Sequence, residues 1–324
     1  MLEKSIFSIT SAKEFEHLAL EVFNFQYART KVYKDFCDFL NVKPTQVKRI
    51  YDIPFFPIQF FKENTILTEG ISSEKEFTSS GTTGSIPSKH YIAKLSLYEE
   101  SFLKTFKQFY GDIQQYAILA LLPSYLERGG SSLVYMVDDL INRSNNTHSG
   151  FYLHDNQALI EKLRLLEASG QKTILLGVSY ALLDIIEKTN FQLKHTIVME
   201  TGGMKGRREE MIKEELHTVL KKGFGVKEIH SEYGMTELLS QAYSKGNGVF
   251  TCPPWMKILT RDTEDALTFL KNGPGGINVI DLANLYSCSF IATQDLGKIH
   301  ENGSFEILGR FDSSDIRGCN LMVF

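Results

Sequence analysis

The sequence predicts an α/β protein, with a parallel-rich sheet flanked by helices followed by a smaller β-rich region. Three observations carry this. Between about residues 116 and 230, apolar runs of strand length alternate with stretches of helical period. After about residue 245 the helical period fades into short runs broken by Gly and Pro. A composition of 43% hydrophobic and 23% charged residues over 324 positions supplies a large core.

Each element has its own signal. Ser11 and Glu14 have capping-box spacing, and Phe15, Leu18, Ala19, Val22 and Phe23 then keep a helical period. A second helix is expected over much of 30–41, so an N-terminal helical part covers about 1–50. Pro54 and Pro57 make Tyr51 to Lys62 an irregular aromatic segment suited to loop and core packing. Tyr116 to Leu122 is a strand ended by Pro123, and residues 156–168 form a helix with Leu159, Ile160, Leu163 and Leu166 on one side. Lys172 to Val178 is a strand, Ala181 to Lys188 a helix, and His195 to Met199 a strand ended by Thr201-Gly-Gly203. Glu209 to Lys222 is an amphipathic helix and Val226 to His230 a strand. Gly273-Pro-Gly-Gly276, Ile277 to Asp281, Phe290 to Ala292 and Phe305 to Leu308 read as short, more antiparallel strands.

Bulk properties narrow the function. A formal net charge of −4 gives no sign of the basic face that nucleic acid requires. Backbone N–H groups can still hold the phosphates of a small nucleotide locally. No basic segment followed by an apolar run opens the chain, and nowhere do 18 apolar residues run together, so neither a secretory signal nor a transmembrane helix is expected. Cys37, Cys252, Cys288 and Cys319 are scattered with no Cys-x-x-Cys pair, which predicts reduced thiols in a cytoplasmic protein and no structural zinc.

The most informative stretch is Thr78-Ser-Ser-Gly-Thr-Thr-Gly84, continuing to Lys89. Gly81 and Gly84 let the backbone bend tightly against a ligand, and Thr78, Ser79, Ser80, Thr82 and Thr83 add hydroxyls around a nest of N–H groups for phosphate oxygens. The Gly-x-x-x-x-Gly-Lys pattern of a P-loop is absent, and a polar surface turn is the structural alternative. Three later segments answer it: Glu200-Thr-Gly-Gly-Met204, Ser231-Glu-Tyr-Gly-Met-Thr-Glu237, and Thr293-Gln-Asp-Leu-Gly297 ahead of Phe305-Glu-Ile-Leu-Gly-Arg310. The first two are expected to follow strands, where α/β sheets bind ligands.

These four segments, in this order, resemble the adenylate-forming superfamily of acyl-CoA synthetases, adenylation domains and firefly-type luciferases. The likeness covers roughly residues 50–317. A closer resemblance is to the bacterial acyl-protein synthetases of LuxE type. It rests on Phe56-Pro57 and Phe61-Lys62, on Leu122-Pro-Ser-Tyr-Leu-Glu-Arg128 with Ser131 and Ser132, and on Leu308-Gly-Arg310 leading to Arg317-Gly-Cys319. The resemblance implies a large adenylate-forming domain over 1–317 and a short tail, 318–324, carrying Cys319. It implies that ATP and Mg²⁺ convert a carboxylic acid, a fatty acid in that family, to acyl-AMP. The acyl group then passes to a cysteine near the C-terminus, matched by Cys319, as a thioester for an acyl reductase partner.

By the same resemblance, Thr78 to Gly84 hold the β- and γ-phosphates, and Thr236 meets the α-phosphate. Glu237 holds Mg²⁺. Gly202, Gly203, Tyr233 and Gly234 line the adenine slot. Asp295 accepts the ribose hydroxyls and Arg310 supports ribose or phosphate. Structural alternatives stand beside these roles: Glu237 as a helix-start carboxylate, Asp295 as a turn residue before Gly297, Tyr233 as a core aromatic, Arg310 as a surface charge and Cys319 as a small buried side chain. Lys89 and His90 are weaker phosphate or substrate candidates with a solvated pair as the alternative. Tyr125 and Arg128 are candidates for the border of an acyl pocket. Ile174, Leu175, Val178 and Leu182 suit an acyl tunnel or plain core packing equally, and His148 and His154 show no metal-site spacing.

The chain also departs from the superfamily. Pro87 and Lys89 are displaced from the second loop glycine, and Thr-Gln-Asp replaces Thr-Gly-Asp. The small C-terminal lid and its lysine are expected to be absent or vestigial, which leaves Lys89, Lys205, Arg207 or a partner to supply a cation. Two other functions compete: an acyl- or aryl-CoA ligase lacking the lid, for which coenzyme A is the acceptor, and a nucleotide-binding subunit without the chemistry.

Overall fold

The computed structural model describes residues 2–79, 86–123, 129–202, 211–271 and 273–311. A short α1 (Leu2–Ile6) precedes α2 (Ala12–Arg29). The Ser11 hydroxyl caps α2 by accepting from the Glu14 N–H at 3.2 Å. The return bond goes elsewhere, because the Glu14 carboxylate accepts from the N–H and hydroxyl of Thr10. After α3 (Lys31–Phe39), the aromatic segment is irregular as its prolines require. It contains β1 (Phe56–Pro57), which pairs in parallel with Ile291 and Ala292. Phe56 and Phe61 are fully buried there, each ring contributing roughly 2–3 kcal/mol of transfer energy.

The Gly-rich loop joins β2 (Lys75–Thr78) to β3 (Lys89–Ile92) in an antiparallel hairpin. Then follow α4 (Leu95–Tyr110), β4 (Ala117–Leu121), α5 (Ser132–Ser144), β5 (Gly150–Phe151), α6 (Asn156–Ser169), β6 (Thr173–Gly177), α7 (Ser179–Lys188), β7 (Thr196–Thr201), α8 (Lys213–Phe224) and β8 (His230–Tyr233). The chain continues through β9 (Ala242–Ser244), β10 (Val249–Thr251), β11 (Met256–Arg261), β12 (Phe269–Leu270), β13 (Pro274–Asp281), β14 (Phe290–Ile299) and β15 (Phe305–Arg310).

Among the described residues one sheet takes thirteen strands, ordered β12-β11-β13-β14-β15-β10-β9-β8-β7-β6-β4-β5, with β1 on β14. From β5 to β8 every pairing is parallel. Strands β4 and β6 are buried at every position, as helices on both faces of a parallel sheet demand. From β8 through β9, β10, β15, β14, β13 and β11 to β12 each successive pairing is antiparallel, with only β1 joining β14 in parallel among the described residues. The expected architecture is therefore present, and the junction of its two halves lies at β8 and β9.

Three boundaries differ from expectation. Helix α8 starts at Lys213 rather than Glu209; Met211 and Ile212 are not helical, and Glu209 and Glu210 lie outside the described residues. The strand expected at 226–230 begins only at His230, because Val226 still bonds back to the Lys221 carbonyl at 3.2 Å. Ser231 to Tyr233 therefore form the strand instead of following it. Likewise Thr293 to Gly297 lie inside the ten-residue β14, whose register with β15 shifts between Leu296 and Gly297. A propensity reading stops such strands at polar residues, whereas here both flanks are paired.

Candidate active site

The neck of the Gly-rich loop is fixed on both sides. The Ser79 N–H donates to the Ser88 carbonyl at 3.0 Å, and the Ser88 N–H donates to the Ser79 hydroxyl at 2.9 Å. The Thr78 N–H donates to the Gly130 carbonyl at 2.7 Å. Ser80, Gly81, Thr82, Thr83 and Gly84 lie outside the described residues.

Ser88 also hydrogen-bonds Glu237, which is 6% exposed. Burial raises the Glu237 carboxyl above the usual range; the Ser88 bond and the more distant charges of Arg310 and Lys62 oppose that rise. Thr236 beside it is half-buried. Neither residue starts a helix, so the dipole reading of Glu237 does not hold.

The backbone around these two residues is pinned from three sides. His90 Nδ1–H donates to the Thr236 carbonyl at 2.8 Å, and the Asn284 amide donates to the Glu237 carbonyl at 2.8 Å. Asp281 accepts from the N–H groups of Leu239 and Ser240 at 2.7 and 2.9 Å. His90 is thus a buried tether rather than a phosphate contact, and burial pushes its imidazole down to about 4, so the ring is neutral. Lys89, its exposed neighbour, pairs with Glu76 at 3.6 Å across the hairpin. Replacing His90 by Leu leaves the Thr236 carbonyl short of a partner. Denaturant unfolding is expected to show a loss of about 1–3 kcal/mol.

A second constellation joins β8 to the antiparallel half. The Tyr233 hydroxyl donates to Asp295 Oδ2 at 2.9 Å, and Arg310 Nε donates to Asp295 Oδ1 at 3.0 Å. Asp295 is buried within β14, so it is not a turn residue, while the Arg310 side chain stays 72% exposed. A carboxylate has about four lone-pair sites, so each oxygen keeps one for a ligand hydroxyl. Tyr233 is itself buried against Phe250 and Phe305. The strand beneath is braced by Arg261, which donates to the carbonyls of Ile277 at 2.7 Å and Thr293 at 2.6 Å.

Gly202, at the end of β7, is exposed with φ +67, a conformation that excludes most side chains, while Gly203 lies outside the described residues. The end of β7 and β8 carry a charge cluster next to Gly202. Lys213 Nζ donates to Glu200 at 2.8 Å, and the Thr201 hydroxyl donates to Glu232 at 2.6 Å. Glu200 is held down to about 2: burial opposes this, and His217 and Lys213 outweigh it. Glu232 is pushed up to about 7, first by burial and then by the Glu200 charge. Between pH 4.5 and 7 the folded protein keeps the Glu232 proton that the unfolded chain has lost. Stability from this group therefore falls as pH rises through that window. Glu232→Gln is expected to flatten that fall by about 2–3 kcal/mol in denaturation midpoints measured across it.

Among the described residues no group of three or more His, Cys, Asp or Glu side chains could hold a metal. A cation at Glu237 would rest on that single carboxylate and on ligand oxygens, the manner in which Mg²⁺ is usually bound. The family model for acyl-protein synthetase, LuxE, matches residues 8–324.

The chain belongs to the LuxE acyl-protein synthetase family.

A LuxE-family relative, the long-chain-fatty-acid–luciferin-component ligase of Vibrio harveyi, is 24% identical, with 93% of this chain and 85% of the relative covered. Among solved structures, an open 2-hydroxyisobutyryl-CoA ligase bound to 2-HIB-AMP and CoA matches with TM-score 0.67 at 12% identity, over 94% of this chain and 77% of the other. ATP-bound MatB from Rhodopseudomonas palustris matches with TM-score 0.54 at 20% identity, over 72% of this chain. That match takes in only 47% of MatB, about half its length. These likenesses establish the adenylate-forming fold.

In this LuxE-family chain, Cys319, Tyr125, Arg128, Lys205 and Arg207 lie outside the described residues. Ile174, Leu175, Val178 and Leu182 are all core residues at 2% exposure or less, which is the packing alternative. The described cysteines are poor nucleophiles: burial pushes the Cys37 thiol to about 12 and those of Cys252 and Cys288 higher still. No local pattern marks Asn284 and Arg261, whose partners Glu237, Ile277 and Thr293 lie 16 or more residues away in the chain.

Proposed function

We propose that this protein uses ATP to activate a carboxylic acid as acyl-AMP and passes the acyl group to a thiol, its own Cys319. The observation that carries the reading is a pair of side-chain groups in a member of an acyl-protein synthetase family: Ser79, Ser88 and Glu237 at the loop neck, and Tyr233, Asp295 and Arg310 at β8, β14 and β15, with the charge of Arg310 acting on Glu237. The ATP and acyl-AMP complexes of the fold relatives and the fatty-acid name of the Vibrio relative support the choice of substrates.

A carboxylate is a poor acyl donor because oxide is a poor leaving group. One carboxylate oxygen bonds to the α-phosphorus of ATP, the bond to pyrophosphate breaks, and the acyl group then carries a phosphate leaving group. The protein's task is positioning and neutralising charge. Thr78, Ser79 and the loop through Gly84 would hold the β- and γ-phosphates, with Thr236 on the α-phosphate. The free lone pairs of Asp295 would accept the ribose hydroxyls, beside Arg310. Gly202, Gly203, Tyr233 and Gly234 would border the adenine. Buried Glu237, which lacks a bonded protein cation among the described residues, suits Mg²⁺, which when bound would neutralise phosphate charge.

In the second half the Cys319 thiolate attacks the acyl carbon, a C–S bond forms and AMP leaves. On this reading residues 1–317 adenylate and 318–324 present the thiol. An acyl reductase would then collect the thioester. Acid-dependent exchange of labelled pyrophosphate into ATP tests the first half. Exchange with at least one acid is expected. ATP binding without exchange for any acid would instead favour a nucleotide-binding subunit.

A further inference from the structure

Among the described residues the exposed aromatic rings are Phe39, Tyr51 and Phe60. All of them fall between Arg29 and Phe60, in α3 and the aromatic segment that follows it. That stretch carries six Lys or Arg (Arg29, Lys31, Lys34, Lys43, Lys48, Arg49) against three Asp (Asp35, Asp38, Asp52), a net +3 in a chain whose formal total is −4. Exposed rings and surplus cations therefore share one short region.

Helix α3 arranges them. Tyr33 and Cys37 face the core, Val32 and Phe36 are half-buried, and Phe39 is 85% exposed. Phe39 lies three residues beyond Phe36, on the same side of the helix. The Phe36 ring meets Phe60 at 6.3 Å and the buried Phe56 at 5.3 Å. These rings build an apolar ridge with Phe39 at its free end. Lys34 and Lys43 both bond Asp38, the residue before Phe39, at 2.5 and 2.6 Å. Lys31 bonds Asp35 at 2.5 Å, and Arg49 bonds Asp52 at 3.1 Å. Every Asp of the stretch is thus already paired, and exposed Arg29 and Lys48 are cations in surplus. Tyr51 packs on Phe269 at 5.7 Å, close to the acidic turn from Asp262 to Asp265, and marks the limit of the basic region.

We propose that this region docks on an anionic lipid bilayer, with the Phe39 ring entering the headgroup layer. Its composition favours lipid over a protein partner. Protein interfaces are depleted in Lys, and here lysines flank a ridge with one free ring. An anionic bilayer attracts Lys and Arg to its surface and accepts an apolar side chain beneath the headgroups. Stable attachment needs both signals, because one apolar group binds marginally and the cations are screened by salt. The attachment is peripheral: among the described residues no helix is long and apolar enough to cross a membrane. Phe61, next to Phe60, packs on His90 at 5.6 Å, so the ridge lies one side chain away from the tether of Thr236. The inference stands apart from the adenylation reading and does not depend on it.

The test is co-sedimentation of the full chain with vesicles of phosphatidylcholine alone and of phosphatidylcholine with about 30% phosphatidylglycerol, at about 0.1 M and about 0.5 M salt. Wild type, Phe39→Ser and the double variant Lys43→Gln, Lys48→Gln are compared. All the replaced side chains are exposed, so equal thermal midpoints are expected and serve as the check on folding. Wild type is expected to partition at least about tenfold more strongly onto the mixed vesicles, and the higher salt to remove most of that gain. Phe39→Ser is expected to lower partitioning onto the mixed vesicles at least about fivefold, and the double variant to do the same. No partitioning of wild type onto mixed vesicles overturns the proposal, and so does partitioning that Phe39→Ser leaves unchanged. A self-associated wild type that Phe39→Ser disperses, with no binding to vesicles, gives the ridge to a second copy of the chain and likewise overturns it.

Discussion

Glu237→Gln is expected to lower acid-dependent pyrophosphate exchange by about 100-fold or more, with no loss of stability. Gln keeps the length of the side chain and can still bond Ser88. What disappears is the charge. Burial already penalises the carboxylate, raising its pKa, so a neutral side chain at this position is no worse for the fold. A thermal midpoint equal to or above wild type, together with lost exchange, identifies a carboxylate retained for its ligand. A midpoint that falls along with activity would mean that Glu237 is structural.

Asp295→Ala carries the other large effect, and here both properties change. The Tyr233 hydroxyl loses its acceptor inside the core, and Arg310 loses its ion pair. The orphaned hydroxyl is expected to cost about 1–3 kcal/mol in denaturant unfolding. kcat/KM for ATP is expected to fall about 100-fold, with the KM for the acid little changed. Deoxy-ATP supplies the control. Wild type should discriminate against it, because one of the two free lone pairs on Asp295 then has no hydroxyl to accept. The variant should treat ATP and deoxy-ATP nearly alike. Equal use of both by wild type would remove the ribose role from Asp295.

The parts of the site that could be read from the sequence are those whose chemistry is local. Hydroxyls and glycines in one short run mark the loop, and Tyr233, Thr236 and Glu237 share one segment. Asp295 and Arg310 entered as candidates only through the family resemblance, and the Asp295–Arg310 and Tyr233–Asp295 bonds bring those segments together in space. The alternation of β4, β6 and β7 with helices gave away the parallel half, since a strand buried on both faces is apolar throughout. Strand ends were harder. His230 to Tyr233 and Thr293 to Gly297 carry polar side chains whose burial depends on neighbours elsewhere in the chain. The tethers were invisible for the same reason: His90 meets Thr236 across 146 residues and Asn284 across 194.

The most direct test of an acyl-AMP passed to Cys319 is the intact mass of the full chain after incubation with ATP, Mg²⁺ and a panel of acids. Wild type and Cys319→Ala are compared, with pyrophosphate release followed in parallel. The expected result is a hydroxylamine-labile acyl adduct on wild type and none on Cys319→Ala, with acid-dependent pyrophosphate release from both. An adduct on both proteins, or pyrophosphate release with no adduct on either, would contradict transfer to Cys319. No acid-dependent release from wild type would contradict the activation step itself.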